Sequence, residues 1–186
     1  LEKFGDSYSV NTRAKVGANN GEKFSINEKI YLRKSKVDNF IEKKINFKQF
    51  YKKTIRVLKG TNFDYFSKTA KFFLFKEEFV VTKLSDRMGM RLEGPKLENI
   101  VNTNIKSEGL IKGVIQVPAD GNPIIMFSDH GTIGGYPKIA VIITADLDNA
   151  SQLTPGTKIN FKEVNLGEAE VLFKNYLNET KSYLKK

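Results

Sequence analysis

Residues 113–140 read GVIQVPADGNPIIMFSDHGTIGGYPKIA. Three short apolar or β-branched runs lie in this stretch or lead out of it: VIQV at 114–117, IIMF at 124–127 and IAVII at 139–143. Pro, Gly and Asp separate them, which is the punctuation of successive strands. Pro118-Ala119-Asp120-Gly121 reads as a β-turn between the first two, with Asp and Gly supplying the turn chemistry. The polar, glycine-rich segment 128–135 separates the second from the third. There Gly134-Gly135 lets a backbone come close to another group or take a positive φ, and its peptide N–H groups are of the kind that cradles an anion.

Outward from this stretch the same alternation recurs. FSINEKIYL at 24–32 and KTIRVL at 53–58 have the spacing of half-buried strands, and Asn19-Asn20-Gly21 before the first reads as a turn. Residues 79–82 and 90–93 are further strand candidates, as is KINFKEV at 158–164. Asn62 or Thr61 is placed to cap a helix in which Phe63, Phe66, Ala70 and Phe73 recur at three-to-four spacing. A helical turn is expected at 148–153. From Gly167 onward, Ala169, Leu172, Phe173, Tyr176, Leu177 and Leu184 share one helical face, with Asn165 and Glu168 at capping-box spacing. Many short strands with two or three helices, and no regular β-α alternation, predict a mainly β barrel or an α+β domain.

Composition removes several chemistries. The 186 residues contain no Cys and one His, His130, so disulfides, thiolate metal sites, Cys nucleophiles and multi-His metal sites are excluded. No apolar run reaches the roughly 18 to 20 residues of a membrane-spanning helix, and no secretory signal pattern is present, which predicts a cytoplasmic protein. The first residue is Leu1 rather than Met, as expected of a fragment or processed chain. The net charge of +10 invites a nucleic-acid reading until it is split: residues 1–84 carry 19 basic and 9 acidic side chains, and residues 85–186 carry 12 of each. The excess is nearly all Lys and lacks an Arg cluster, so it reads as solvated surface, and no nucleic-acid partner is expected.

Two segments concentrate chemistry. SDRMGMRLEGP at 85–95 places Asp86, Arg87, Arg91 and Glu93 around two glycines. Its arginines can present forked donors to a carboxylate or phosphate, with Asp86 or Glu93 orienting them, or the four can brace a turn as an ion-pair network. The second segment is 113–140 itself, with Asp120 in its turn, the glycine-rich loop 128–135 that includes Gly134 and Gly135, and Lys138 as an ammonium at the loop mouth or a plain surface lysine. It has neither Walker A nor GxGxxG spacing.

In order and spacing, these two segments closely resemble the allophanate hydrolase subunit 2 family, also described as biotin-dependent carboxyltransferase-like, whose members include the C subunit of 5-oxoprolinase and KipA. The resemblance continues through TADLDNASQLTPGTKINFKEV at 144–164, and upstream IRVLKG and the Phe-rich helix fit it. Complete members are about twice as long, so the chain resembles their C-terminal half. The resemblance implies a cyclophilin-like β-barrel over residues 51–186, with residues 1–50 as a linker or edge segment. It also implies one component of an ATP-dependent 5-oxoprolinase, working with the KipI-like B subunit and the LamB/YcsF-like A subunit on a small planar amide. The alternatives it leaves are a KipA-like protein that binds a sensor-kinase inhibitor, and the carboxyltransferase half of a urea carboxylase system, where biotin would enter. By motif position it implies catalytic roles for Asp86, Arg87, Glu93, Asp129 and Lys138, and substrate contacts from Arg91, Gln116, Asp120, Gly134, Gly135 and Tyr136. No metal is expected, no cofactor is assigned to this part alone, and the isolated chain is expected to be inactive. Relatives often carry another residue where His130 stands, so His130 is given no essential role.

Overall fold

The computed structural model describes residues 3–12, 14–29 and 52–184, and the chain divides into two compact units, residues 1–44 and 45–186. In the first unit, β1 (Val10–Asn11) pairs antiparallel with β2 (Val16–Gly17), and the expected turn follows as a short 3-10 segment at Asn19–Gly21. The strand expected over 24–32 does not form across its described part. Ser25 and Glu28 close a turn instead, with the Glu28 N–H donating to the Ser25 carbonyl at 3.1 Å and the Ser25 N–H donating to the Glu28 carboxylate at 2.7 Å. Asn27 takes a φ of +67°, and Ile26 is 94% exposed, so no core draws the alternation into a sheet. Residues 30–32 of that stretch lie outside the described residues.

The second unit runs β3 (Thr54–Lys59), α1 (Lys68–Lys76), β4 (Phe79–Val81), β5 (Gly89–Glu93), β6 (Glu108–Gly109), β7 (Val114–Gln116), β8 (Ile124–Met126), β9 (Ile133–Gly134), β10 (Lys138–Ile142), α2 (Thr144–Ser151), β11 (Lys158–Glu163) and α3 (Leu166–Leu184). Seven strands close a barrel in the order β10-β3-β11-β4-β5-β8-β7, returning to β10. Every neighbouring pair is antiparallel except β3 and β11, which are parallel with Ile55 opposite Phe161. Alternation explains the interior. Ile55 and Val57 of β3, Ile159 and Phe161 of β11, Met90 and Leu92 of β5, and Phe79 and Val81 of β4 are all buried in one cluster, while the residues between them face outward. Burying each large apolar side chain contributes about 1.5–3 kcal/mol relative to leaving it exposed. This is the mainly β barrel with flanking helices that was expected.

The helices depart from expectation at their ends. The cap of α1 is Ser67, whose Oγ accepts from the Ala70 N–H at 3.0 Å, rather than Asn62 or Thr61. A 3-10 turn at Phe63–Tyr65 comes first, and the Asn62 side chain is taken up by β10. Phe66, Ala70 and Leu74 are buried against the barrel, and Phe73 packs on it, but Phe72 faces out. Helix α2 begins at Thr144, four residues before the turn expected at 148. Its buried Asp146 accepts from the Arg56 N–H at 2.8 Å, from Nε at 2.9 Å and from Nη2 at 2.5 Å, tying α2 to β3. The capping box of α3 forms as read, Asn165 and Glu168 exchanging side-chain to backbone bonds of 2.9 Å. β6 and β9 form a two-stranded ribbon outside the barrel sheet, which the sequence reading did not anticipate.

Candidate functional site

On the outer face of the barrel, register aligns four residues from four adjacent strands: Lys138 of β10 lies opposite Gln116 of β7, Gln116 opposite Ile124 of β8, and Ile124 opposite Arg91 of β5. With strands spaced about 4.8 Å apart, the row from Lys138 to Arg91 spans about 14 Å. The β6–β9 ribbon covers one end of it. At Gly134 a Cβ would stand 2.9 Å from Gln116 Nε2 and 2.9 Å from Leu110 Cδ1, so glycine is needed there for close approach. Gly134 and Gly135 are absent from the residues with positive φ, which decides between the two readings of this pair. Gln116 is buried and its Nε2 donates to the Tyr136 carbonyl at 3.0 Å. Tyr136 itself is exposed.

Lys138 is the centre of this covered end. Far from projecting at a loop mouth, its side chain is 7% exposed. Its Nζ donates to Oε2 of Glu108 on β6, its backbone N–H donates to Asn62 Oδ1 at 3.0 Å, and its carbonyl accepts from the Asn62 N–H at 3.1 Å. A bulge between Lys138 and Ala140 turns Lys138 to the same face as Gln116. Gly60 allows this packing, since a Cβ there would lie 2.3 Å from the Lys138 carbonyl oxygen. The hydrogen bond from Lys138 pulls the Glu108 carboxyl below the usual carboxylate range; burial opposes it, and the charge of Lys138 and then the Asn62 side chain add to the lowering. Asn62, Gln116 and Lys138 are three of the four buried polar or charged residues among those described, the fourth being Asp146. A burial cost of this kind is tolerated only where every group finds a partner.

Asn62 and Glu108 were missed in the sequence. Asn62 carried a signal, but it read as a helix cap. Glu108 lies 30 residues from Lys138, in a segment without periodicity, and nothing in its neighbourhood marks it.

The other candidates stand apart. Arg87 pairs with Asp129 through Nε at 2.9 Å and Nη2 at 3.1 Å, an exposed fork joining the loop before β5 to the loop after β8. Asp86 accepts from the N–H groups of Met88 and Gly89, holding the turn into β5. The two segments thus meet here, but through an ion pair between them rather than within the first. Beside this pair lies a cavity of about 380 Å³ whose apolar walls include Met90, Phe127 and Leu153 and whose polar rim includes Ser85, Asp86 and Arg87. Arg91 and Glu93 face outward along β5. Asp120 holds the Pro118–Gly121 turn, accepting from the Asn122 N–H at 3.1 Å and Nδ2 at 3.0 Å. Burial would raise its carboxyl, but those bonds together with the charges of Lys96 and Arg91 bring it below its ordinary value. His130 bonds the neighbouring Gly131 carbonyl through Nδ1. Among the described residues no three His, Cys, Asp or Glu gather to hold a metal ion, and no helix is long and apolar enough to cross a membrane.

The chain as a whole is similar to known proteins. The model of the carboxyltransferase domain, subdomain A and B, matches residues 1–163. The chain belongs to the carboxyltransferase domain family. Within it, the chain is 31% identical over 163 residues to the 5-oxoprolinase C subunit of Escherichia coli (strain K12), covering 88% of this chain and 52% of that protein. It is 32% identical over 168 residues to the 5-oxoprolinase C subunit of Haemophilus influenzae (strain ATCC 51907 / DSM 11121 / KW20 / Rd), covering 90% and 53%. Among solved structures, urea amidolyase of K. lactis superposes with a TM-score of 0.66 at 27% identity, over 70% of this chain and 8% of that one. The chain therefore spans about half the length of the curated relatives it matches. The family match covers every barrel strand, and α3 lies beyond it.

Proposed function

We propose that this carboxyltransferase-family chain is part of a 5-oxoprolinase and works there with the KipI-like B subunit and the LamB/YcsF-like A subunit. The assembly hydrolyses 5-oxoproline to glutamate while consuming ATP. The observation that carries this reading is the likeness, over most of the chain, to the C subunits of two curated 5-oxoprolinases. The chemistry at the covered end of the row is in keeping with it. A five-membered lactam bearing a carboxylate needs a cation for the carboxylate and polar groups for the amide, and it gains most from charge fixed in place before reaction. Lys138 and Gln116 offer these from one face of the sheet. In this proposal Lys138 or Arg87 meets the substrate carboxylate or the oxyanion that develops as water adds to the lactam carbon. Asp129 or Glu93 orients the reacting groups.

The test is to co-express the full-length protein with its two partner subunits and to assay ATP-dependent ring opening of 5-oxoproline. Turnover is expected, and none from a well-folded complex overturns the reading. Alanine variants of Lys138 and Arg87 then test the residue roles: at least one should lose about tenfold or more in kcat/KM, the effect of ~1.4 kcal/mol at the transition state. Unchanged turnover in both removes the assignment. The likeness to urea amidolyase favours a second reading, a carboxyltransferase accepting the carboxyl group of carboxybiotin onto urea. Carboxylation of urea by the full-length protein supplied with a biotin carboxylase, with no ring opening of 5-oxoproline, would establish it in place of the first.

A further inference from the structure

We propose that Glu108 is a built-in stand-in for the carboxylate of the ligand: it occupies the Lys138 ammonium, and a small carboxylate-bearing amide binds by displacing it and lifting the β6–β9 ribbon. The inference rests on the 5-oxoprolinase reading for the ligand's identity, but its central contact is independent of that reading. It narrows the role of Lys138 to the ligand's carboxylate rather than a developing oxyanion.

Four observations lead here. The Lys138 side chain is almost wholly covered, at 7% exposure, whereas the Glu108 side chain it pairs with is 43% exposed, so solvent reaches the pair from the Glu108 side. A ligand arriving from that side meets Glu108 first and exchanges with it. The group in place is itself a carboxylate, and an ammonium that accommodates a glutamate side chain presents the donor geometry that a free carboxylate needs. Glu108 is also carried by a detachable element. β6 and β9 are two residues each, and the ribbon pairs only through Glu108 with Gly134 and Gly109 with Ile133, flanked by single bonds from the Ile105 N–H to the Gly135 carbonyl and from the Leu110 N–H to the Thr132 carbonyl. A two-stranded ribbon of this length has little stability of its own. Finally, the polar groups beneath it are fixed from behind. Asn62 holds the backbone of Lys138 on both sides of the residue, and the Tyr136 carbonyl holds the Gln116 amide. Lifting the ribbon would therefore leave the Lys138 backbone held by Asn62, with one ammonium donor vacated.

The charged neighbours are few. On β3, Lys59 is engaged with Glu163 at 3.0 Å, and Asn62 and Gln116 are neutral, so Glu108 supplies the negative charge that Lys138 meets in this structure.

Two measurements on the full-length protein test the proposal, comparing wild type with Glu108→Gln, which keeps the shape and removes the charge. In the first, lysine acylation by acetic anhydride at pH 8 is followed at Lys138 by peptide mass spectrometry. At least a tenfold faster reaction is expected in the variant, with other lysines unchanged. Equal rates overturn the stand-in, whatever the protein's substrate proves to be. In the second, calorimetry of the assembled complex measures 5-oxoproline against 2-pyrrolidone, the same lactam without its carboxylate. Glu108→Gln should tighten 5-oxoproline about tenfold and leave 2-pyrrolidone unchanged. Weaker binding of 5-oxoproline in the variant makes Glu108 a supporting residue and overturns the proposal. Faster acylation with no 5-oxoproline binding in either protein upholds the exchange at Lys138 and overturns the choice of ligand.

Discussion

At Gly134 the backbone of β9 lies directly on the Gln116 amide, and at Gly60 a Cβ would run into the carbonyl oxygen of Lys138. The two positions differ in what can yield. Gly134→Ala meets a side-chain amide and a leucine methyl, and should cost about 1–3 kcal/mol in urea unfolding, as for other overpacked sites. A change below ~0.5 kcal/mol, the size of an ordinary surface substitution, would mean that the ribbon moves away freely. Gly60→Ala meets backbone and should cost more. Glu108 adds a pH signature. Its carboxyl is held below the ordinary range in the fold, so its contact with Lys138 is fully present above that range and is lost as pH falls through the depressed folded value. Stability measured between pH 6 and pH 3 should fall less steeply in Glu108→Gln than in the wild type, and parallel curves would show that the contact contributes nothing. At this scale the sequence was only partly legible. Lys138, Gln116 and the glycine pair stood out because they share one dense segment. Their partners Asn62 and Glu108 arrive from 76 and 30 residues away in sequence, and no local pattern records a pairing of that kind.

Among the elements, the strands were the easiest to read, because alternation marks β3 and β11 while Pro, Gly and Asp set off the apolar runs that form β7, β8 and β10. Each barrel strand falls within a residue or so of its expected place. What failed were places where a tertiary group replaced a local one. Asn62 has the residue type of a cap, yet its side chain accepts from the Lys138 N–H and leaves capping to Ser67. Residues 24–29 have the alternation of a strand, yet no sheet partner receives them. Helix α2 begins early because Asp146 in its first turn meets Arg56 of β3, a contact 90 residues apart in sequence. That pair is nearly buried on the carboxylate side, at 3% exposure, and Asp146→Ala would leave the guanidinium and the Arg56 N–H without their acceptor. Loss of about 3 kcal/mol or more is expected in thermal or urea unfolding. Asn165→Ala, which removes half of the capping box of α3, should cost about 1 kcal/mol by the same measurement.

For the molecule as a whole, the charge and the length changed meaning. The +10 excess is a property of residues 1–84 and does not coincide with the covered polar cluster, which pairs one lysine with one glutamate. The chain spans about half the length of the curated relatives it matches. Helix α3 lies outside the family match and touches a satellite cluster of Ile143, Val164 and Ala169 rather than the barrel core. A chain ending at Asn165 should therefore keep the barrel. It should retain the near-UV circular dichroism of its aromatic residues and a single cooperative urea transition, at a lower midpoint. Loss of both would make α3 integral to the barrel.

The lone parallel pair in the barrel has a consequence for the order in which the chain can be assembled. β3 is the first barrel strand to be synthesised, and both of its neighbours, β10 and β11, are among the last, with Thr54 finally opposite Asn160. On the ribosome, β3 emerges with two unpaired edges and keeps them until almost the entire domain has followed. The antiparallel run from β4 through β5 and β8 to β7 can form meanwhile from nearer segments, but the cylinder cannot close before residue 163 is made. Closure across such sequence distances belongs to the slow regime of milliseconds to seconds. During that interval Ile55 and Val57, fully buried in the finished barrel, are the residues a chaperone would find.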